Sequence, residues 1–134
     1  MAETGIGVLV VDDQAPFRRA ARDVLEHLDE FELIGEAASG EEAITLAEDL
    51  RPSLVLMDLN MPGIDGIEAT RRIVAADPEV VVILCSTLEL ADLPREAAAS
   101  GARAYLNKER VGGDTLRRVW SRRHRGQFIT GPGR

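Results

Sequence analysis

Five short apolar runs recur along the chain at nearly even spacing: Val8-Leu9-Val10-Val11, Phe31-Glu32-Leu33-Ile34, Leu54-Val55-Leu56-Met57, Val80-Val81-Val82-Ile83-Leu84 and Ala104-Tyr105-Leu106. With starts at Ile6, Phe31, Leu54, Val80 and Ala104, the intervals are 25, 23, 26 and 24 residues. That is the length of a strand plus a helix that returns to begin a parallel neighbour, so the pattern predicts five βα units. Few other folds tolerate such a rhythm.

The segments between the runs carry helical periodicity. Phe17, Ala20, Ala21, Val24, Leu25 and Leu28 form one stripe after Pro16, a residue suited to a first helical turn. Ala43, Leu46, Ala47 and Leu50 form a second after Ser39 and Gly40, and Ile67, Thr70, Ile73 and Val74 a third. Pro94 places the start of the fourth helix near Leu93 and leaves Thr87 to Asp92 as loop. The fifth, from about Asp114, turns Leu116, Val119 and Trp120 toward the core, with arginines on the other side.

Strand composition predicts strand order. Runs one, three and four are apolar on both faces, as strands covered by helices on both sides must be, whereas run two is interrupted by Glu32 and Glu36 and run five is short and preceded by Arg103. Strands two and five are therefore expected at the edges. Right-handed crossovers then give a doubly wound parallel α/β sheet of five strands in the order 2-1-3-4-5, whose winding reverses between strands one and three. Ligands in such sheets bind at the carboxyl ends of the strands beside that reversal.

Those ends carry the chemistry. Strand one runs into Asp12-Asp13, strand three into Asp58, strand four into Ser86-Thr87 and strand five into Asn107-Lys108. Two carboxylates ~5 Å apart repel by about 3 kcal/mol at an effective dielectric near 20, so three in one crevice call for a cation or for Lys108 to offset them. Oxygen ligands point to Mg²⁺, with Mn²⁺ as the alternative, because a hard divalent ion commonly joins one or two carboxylates to a phosphate oxygen. Singly, Asp12 or Asp13 also suits a helix N-cap before Pro16; together with Asp58 the acids read as a site. A carboxylate there can attack a phosphoryl group while Lys108 pairs with a phosphoryl oxygen. Asp58, alone at the end of a central strand, is the best nucleophile candidate, and the Asp12-Asp13 pair suits metal or water.

These residues carry a resemblance. Val10-Val11-Asp12-Asp13, the run Leu56-Met57-Asp58-Leu59-Asn60-Met61-Pro62-Gly63-Ile64-Asp65-Gly66, Ser86-Thr87 and Tyr105-Leu106-Asn107-Lys108 resemble the receiver (CheY-like) domain of bacterial two-component response regulators, over about residues 6–123. The resemblance implies the flavodoxin-like order already derived. It implies Asp58 as phosphoacceptor, Asp12, Asp13, Asp58 and the backbone carbonyl of Asn60 as Mg²⁺ ligands, and Lys108 as the phosphate-binding cation. It further implies Ser86 as switch hydroxyl and Tyr105 as switch aromatic. Asn60 and Leu88 fall where members vary the lifetime of the aspartyl phosphate. A sensor histidine kinase or phosphotransfer protein would supply the phosphoryl group, and helix four, strand five and helix five would present the face for a downstream protein or a homodimer. Only self-catalysed phosphotransfer and dephosphorylation are implied, not turnover of a separate substrate. Two positions depart from the pattern: serine stands at position 86 where threonine is commoner, and Glu109 follows Lys108 where many members have proline.

Composition bounds the alternatives. A lone Cys85 forms no internal disulfide, and no signal-like segment or apolar run of ~18 residues occurs, so a cytoplasmic chain away from the membrane is expected. Residues 1–102 hold 21 acids and 7 bases, whereas residues 103–134 hold 2 acids and 9 bases. The terminal arginines read as a solvated helix face and partner edge rather than a nucleic-acid contact. After the fifth helix the remaining residues are too few for a helix-turn-helix, so this chain is not expected to bind DNA directly. Residues 1–123 are expected as the receiver and the glycine-rich 124–134 as a flexible tail. The alternatives are a phosphorylation-independent binding module, the N-terminal part of a DNA-binding transcriptional regulator, and a phosphatase of the haloacid dehalogenase class. Asn60 speaks against the last, because that class is expected to carry a second aspartate there. The Asp12-Asp13-Gln14 turn lacks the glycines of a dinucleotide cradle.

Overall fold

The computed structural model describes residues 5–130. Strands β1 (Ile6–Val11), β2 (Phe31–Ala37), β3 (Leu54–Asp58), β4 (Val81–Ser86), β5 (Ala104–Asn107) and β6 (Ile129–Thr130) alternate with helices α1 (Ala15–Glu26), α2 (Gly40–Leu50), α3 (Gly66–Ala76), α4 (Arg95–Ala99) and α5 (Gly113–Ser121). The strands form one parallel sheet in the order β2-β1-β3-β4-β5-β6. The expected order 2-1-3-4-5 is therefore present, and the strand count is corrected from five to six.

Alternation along the strands divides the core into two layers. Leu9, Val11, Val55, Met57, Val82, Leu84 and Tyr105 face a layer completed by Ala43, Ile73 and Ala97 of α2, α3 and α4. Val8, Val10, Leu54, Leu56, Ile83, Cys85, Ala104 and Leu106 face Ala21 and Leu25 of α1 and Leu116 and Val119 of α5. β3 and β4 are buried along their whole length, as their unbroken apolar runs require. β2, with exposed Glu32, is an edge as expected.

The other edge differs from expectation. Phe128 packs into the layer that holds Tyr105 and Ile129 into the layer that holds Leu116, and the Ile129 amide donates to the Arg103 carbonyl at 2.9 Å. A two-residue strand after Gly126 shows no period long enough to read, so the sequence alone presents this stretch as tail. β5 is thus an interior strand. Residues 131–134 of the expected tail lie outside the described residues.

Local signals position the helices. Ser39 caps α2, its hydroxyl accepting from the Glu42 amide at 3.1 Å, and Asp65 caps α3 by accepting from the Glu68 amide at 2.9 Å. The fourth helix begins at Arg95, two residues later than expected, after a single 3-10 turn at Leu90–Asp92. Pro94 precedes it with extended backbone. This leaves α4 with five residues and a long approach from the end of β4.

Candidate functional site

Because all the strands run one way, their carboxyl ends meet at one edge of the sheet, and the crossovers from β1 diverge there. The oxygens of Asp12, Asp13 and Asp58 lie within 4.8 Å of one another. Asp12 and Asp58 are buried, and Asp13 is half-buried. Lys108, beginning the turn after β5, reaches across with its Nζ 2.6 Å from Asp12 Oδ2 and 3.3 Å from Asp58 Oδ1. Three of the expected site acids and the expected lysine are brought together.

The electrostatics are those of a crowded anionic pocket. Burial, and then the charge of Asp12, push the Asp58 carboxyl up to about 6, against the pull of Lys108. Burial works against the Lys108 ammonium as well, but Asp12 and Asp58 outweigh it and hold its pKa above the ordinary lysine value. Asp12 Oδ1 accepts from the Gln14 amide at 2.8 Å, which ties the turn into α1 without serving as its N-cap. Asp12 Oδ2 is buried with no aligned hydrogen bond, its charge facing Lys108. Three convergent carboxylates whose charge a single lysine only partly offsets are a donor set for a hard cation. These residues fit Mg²⁺.

Two glycines let the chain turn tightly between β3 and α3 beside the pocket. Gly66 begins α3 so close to β3 that a Cβ would lie 2.1 Å from the Asp58 carbonyl oxygen, and Gly63 turns the loop at φ +80°. Asn60 is exposed in this loop.

Ser86 and Tyr105 form a second, linked group. Tyr105 is buried in the core layer shared with α3 and α4. Its hydroxyl lies 2.6 Å from the Leu88 carbonyl, 2.9 Å from Ser86 Oγ and 3.3 Å from the Ser86 carbonyl. A phenol has one proton, and the shortest contact takes it to Leu88, so the Ser86 hydroxyl donates to the phenol oxygen. Ser86 Oγ also accepts from the Leu88 amide at 3.0 Å. The hydrogen bonds of Ser86 thus run to Tyr105 and Leu88, not to the carboxylates.

Sequence reasoning missed two contributors from α1. Lys108 Nζ sits 4.9 Å from the centre of the Phe17 ring, a cation–π contact that helps fix the ammonium. Arg18 donates to the Asp12 carbonyl at 2.6 Å and pairs with Glu36 at 3.4 Å, while Arg22 pairs with the same Glu36 at 2.6 Å. Phe17 is legible in sequence only as part of a helical stripe, and Arg18 carries no signal. Among the described residues no peptide bond is cis, the Lys108–Glu109 bond included.

A flavodoxin-like sheet with three carboxylates and a lysine gathered at its switch point is the arrangement of a receiver-type signalling domain. Residues 8–119 match the family model described as the response regulator receiver domain, and the chain belongs to that family. It is 40% identical over 103 residues to response regulator GacA of Pseudomonas protegens and 38% identical over 103 residues to response regulator UvrY of Escherichia coli. Each match takes in 77% of this chain and 48% or 47% of the relative, so the chain spans about half the length of these curated relatives. The response regulator domain of Thermotoga maritima CheB superposes with a TM-score of 0.79 at 30% identity, covering 89% of this chain and 96% of that one. A chain of the CheX-CheY-BeF3-Mg complex from Borrelia burgdorferi gives 0.78 at 28% identity, covering 88% and 89%. Among the described residues no helix is long and apolar enough to cross a membrane.

Proposed function

We propose that this receiver takes a phosphoryl group onto Asp58 from a phosphohistidine of a sensor kinase or phosphotransfer protein. The observation that carries the proposal is Asp58 ending the buried strand β3 with Asp12, Asp13 and Lys108 gathered around it. A carboxyl with a pKa of about 6 is largely ionised at neutral pH. An Asp58 oxygen attacks phosphorus, the phosphorus–nitrogen bond to the donor imidazole breaks, and the imidazole departs with the bonding pair. Lys108 follows the negative charge from the carboxylates to the phosphoryl oxygens, steadied by Phe17. Mg²⁺, held by Asp12, Asp13, Asp58 and the Asn60 carbonyl, would neutralise charge on the transferring oxygens. Water attack on phosphorus later restores the carboxylate and releases inorganic phosphate.

A phosphoryl group on Asp58 gives Ser86 a new acceptor. Its hydroxyl would then leave Tyr105, and the phenol, freed of one of its contacts, would shift and alter the face made by α4, β5 and α5. Downstream proteins, or a second copy of this chain, would read that face. We assign residues 1–123 to the receiver unit, in the cytoplasm, with Ile129 and Thr130 after it paired to β5.

Beryllofluoride with Mg²⁺ tests the reading by two-dimensional NMR. Amide shifts at Ser86, Leu88 and Tyr105 are expected in the wild-type chain and absent in Asp58→Ala. A wild-type spectrum unchanged at saturating beryllofluoride would overturn it.

A further inference from the structure

We propose that the cleft between α5 and β6 is a binding site for a small phosphate-bearing anion, separate from the carboxylate pocket and independent of its phosphorylation. Arg118, Arg122 and Arg125 line this cleft of about 170 Å³ together with Gln127, Phe128 and Thr130. Arg118 lies in the last turn of α5 and Arg122 caps its C-terminus four residues on, close enough for like charges to repel. Among the described residues none of the three arginines has an ion-pair partner. Their neighbours do have partners: Arg117 pairs with Glu30 at 2.6 Å, and the Arg123 guanidinium stacks 4.0 Å from the Trp120 ring centre.

The second observation concerns Arg118 itself. Its Nε and Nη2 are buried without a hydrogen-bond partner. A guanidinium stays charged at any relevant pH and offers its donors in a planar fork, so leaving two of them buried and unmet is costly, and an anion in the cleft completes the set by drawing the fork outward. Favourable interaction with the helix dipole accounts for arginines near the end of α5, but it needs no burial. β6 contributes Ile129 and Thr130 to the lining of the cleft, and this strand is the part of the fold that the apolar rhythm of the sequence does not announce.

Charge selects the ligand. Three guanidinium groups match a phosphate or diphosphate with two or more negative charges better than a single carboxylate, and tetrahedral oxygens accept from several forks at once. The rest of the chain argues against a polymer: residues 1–102 carry 21 acids against 7 bases, so a nucleic acid extending beyond the ~8 Å screening length would meet a repulsive surface. A small anion confined to the cleft avoids it.

Titration calorimetry of the full chain without divalent metal, using inorganic phosphate, pyrophosphate and adenosine diphosphate as probes, tests the site. Pyrophosphate is expected to bind, with affinity falling roughly tenfold or more in Arg118→Gln and in Arg122→Gln and unchanged in Asp58→Asn. Arg122 is exposed, so its variant keeps the test valid should Arg118→Gln fold poorly. Tighter binding of adenosine diphosphate than of pyrophosphate would assign a nucleotide, and equal binding the phosphate groups alone. Absence of binding by all three probes, equal affinity in both arginine variants and wild type, or binding of duplex DNA but not of pyrophosphate would overturn the proposal. Loss of binding in Asp58→Asn would instead move the ligand to the carboxylate pocket.

Discussion

Replacing Asp58 by asparagine should make the metal-free protein more stable at neutral pH, although it removes the residue on which the proposed chemistry depends. The Asp58 carboxyl has a pKa of about 6 in the folded chain, against ~3.9 for an unfolded aspartate. At 1.36 kcal/mol for each pKa unit, the ionised form costs at most roughly 3 kcal/mol of folding free energy, and solvent at the pocket mouth screens part of it. Asparagine keeps the shape without the charge, and Lys108 retains Asp12 at 2.6 Å, so about 1–2 kcal/mol should be recovered. The sign follows from the raised pKa: the folded state binds the extra proton, so this contribution is fully present below pH ~4 and is lost as pH rises through about 6. Urea unfolding in chelator should therefore show the Asp58→Asn protein ahead of wild type at pH 7.5, with the gap closing toward pH ~4. A variant less stable than wild type at pH 7.5, or a gap of the same size at both pH values, would refute the crowded-carboxylate reasoning.

Other expectations rest on single contacts. Mg²⁺ should raise the melting temperature of the wild-type chain by mass action on the folded state, and Asp13→Ala should abolish that response while being at least as stable as wild type in chelator; thermal scans with and without metal check both. Tyr105→Phe removes the hydroxyl shared by Ser86 and Leu88 and should cost about 1–3 kcal/mol in urea unfolding, with altered amide shifts at Leu88. Gly66→Ala drives a methyl group against the Asp58 carbonyl and should destabilise by ~1–3 kcal/mol or more while weakening Mg²⁺ binding, measured by the same two assays.

How much was legible in the sequence depended on the length of the signal. Strands β1 to β5 begin within one residue of the starts read from the apolar runs, because short apolar runs repeated every 23 to 26 residues have one economical place in a doubly wound sheet. The site residues followed from them: a polar residue just after a strand in this topology must lie at the carboxyl edge, which is how Asp12, Asp58 and Lys108 could be grouped at separations of 46 and 50 residues. β6 escaped because two residues carry no period, and with it went the true position of β5 inside the sheet. The fourth helix was placed by Pro94 but shortened further by the extended backbone at Pro94 itself. Phe17 and Arg18 were indistinguishable in sequence from other α1 residues; only the path of α1 past Lys108 and Asp12 gives them a part in the site.

Everything proposed for the carboxylate pocket depends on one residue, Asp58, receiving the phosphoryl group, and peptide mapping by mass spectrometry after incubation with acetyl phosphate and Mg²⁺ tests this most directly. The expected result is one added phosphoryl group on the peptide containing Asp58, absent with chelator and absent in Asp58→Asn. Equal labelling of the Asp58→Asn protein, or an unlabelled wild type under conditions where Mg²⁺ binds, would contradict it.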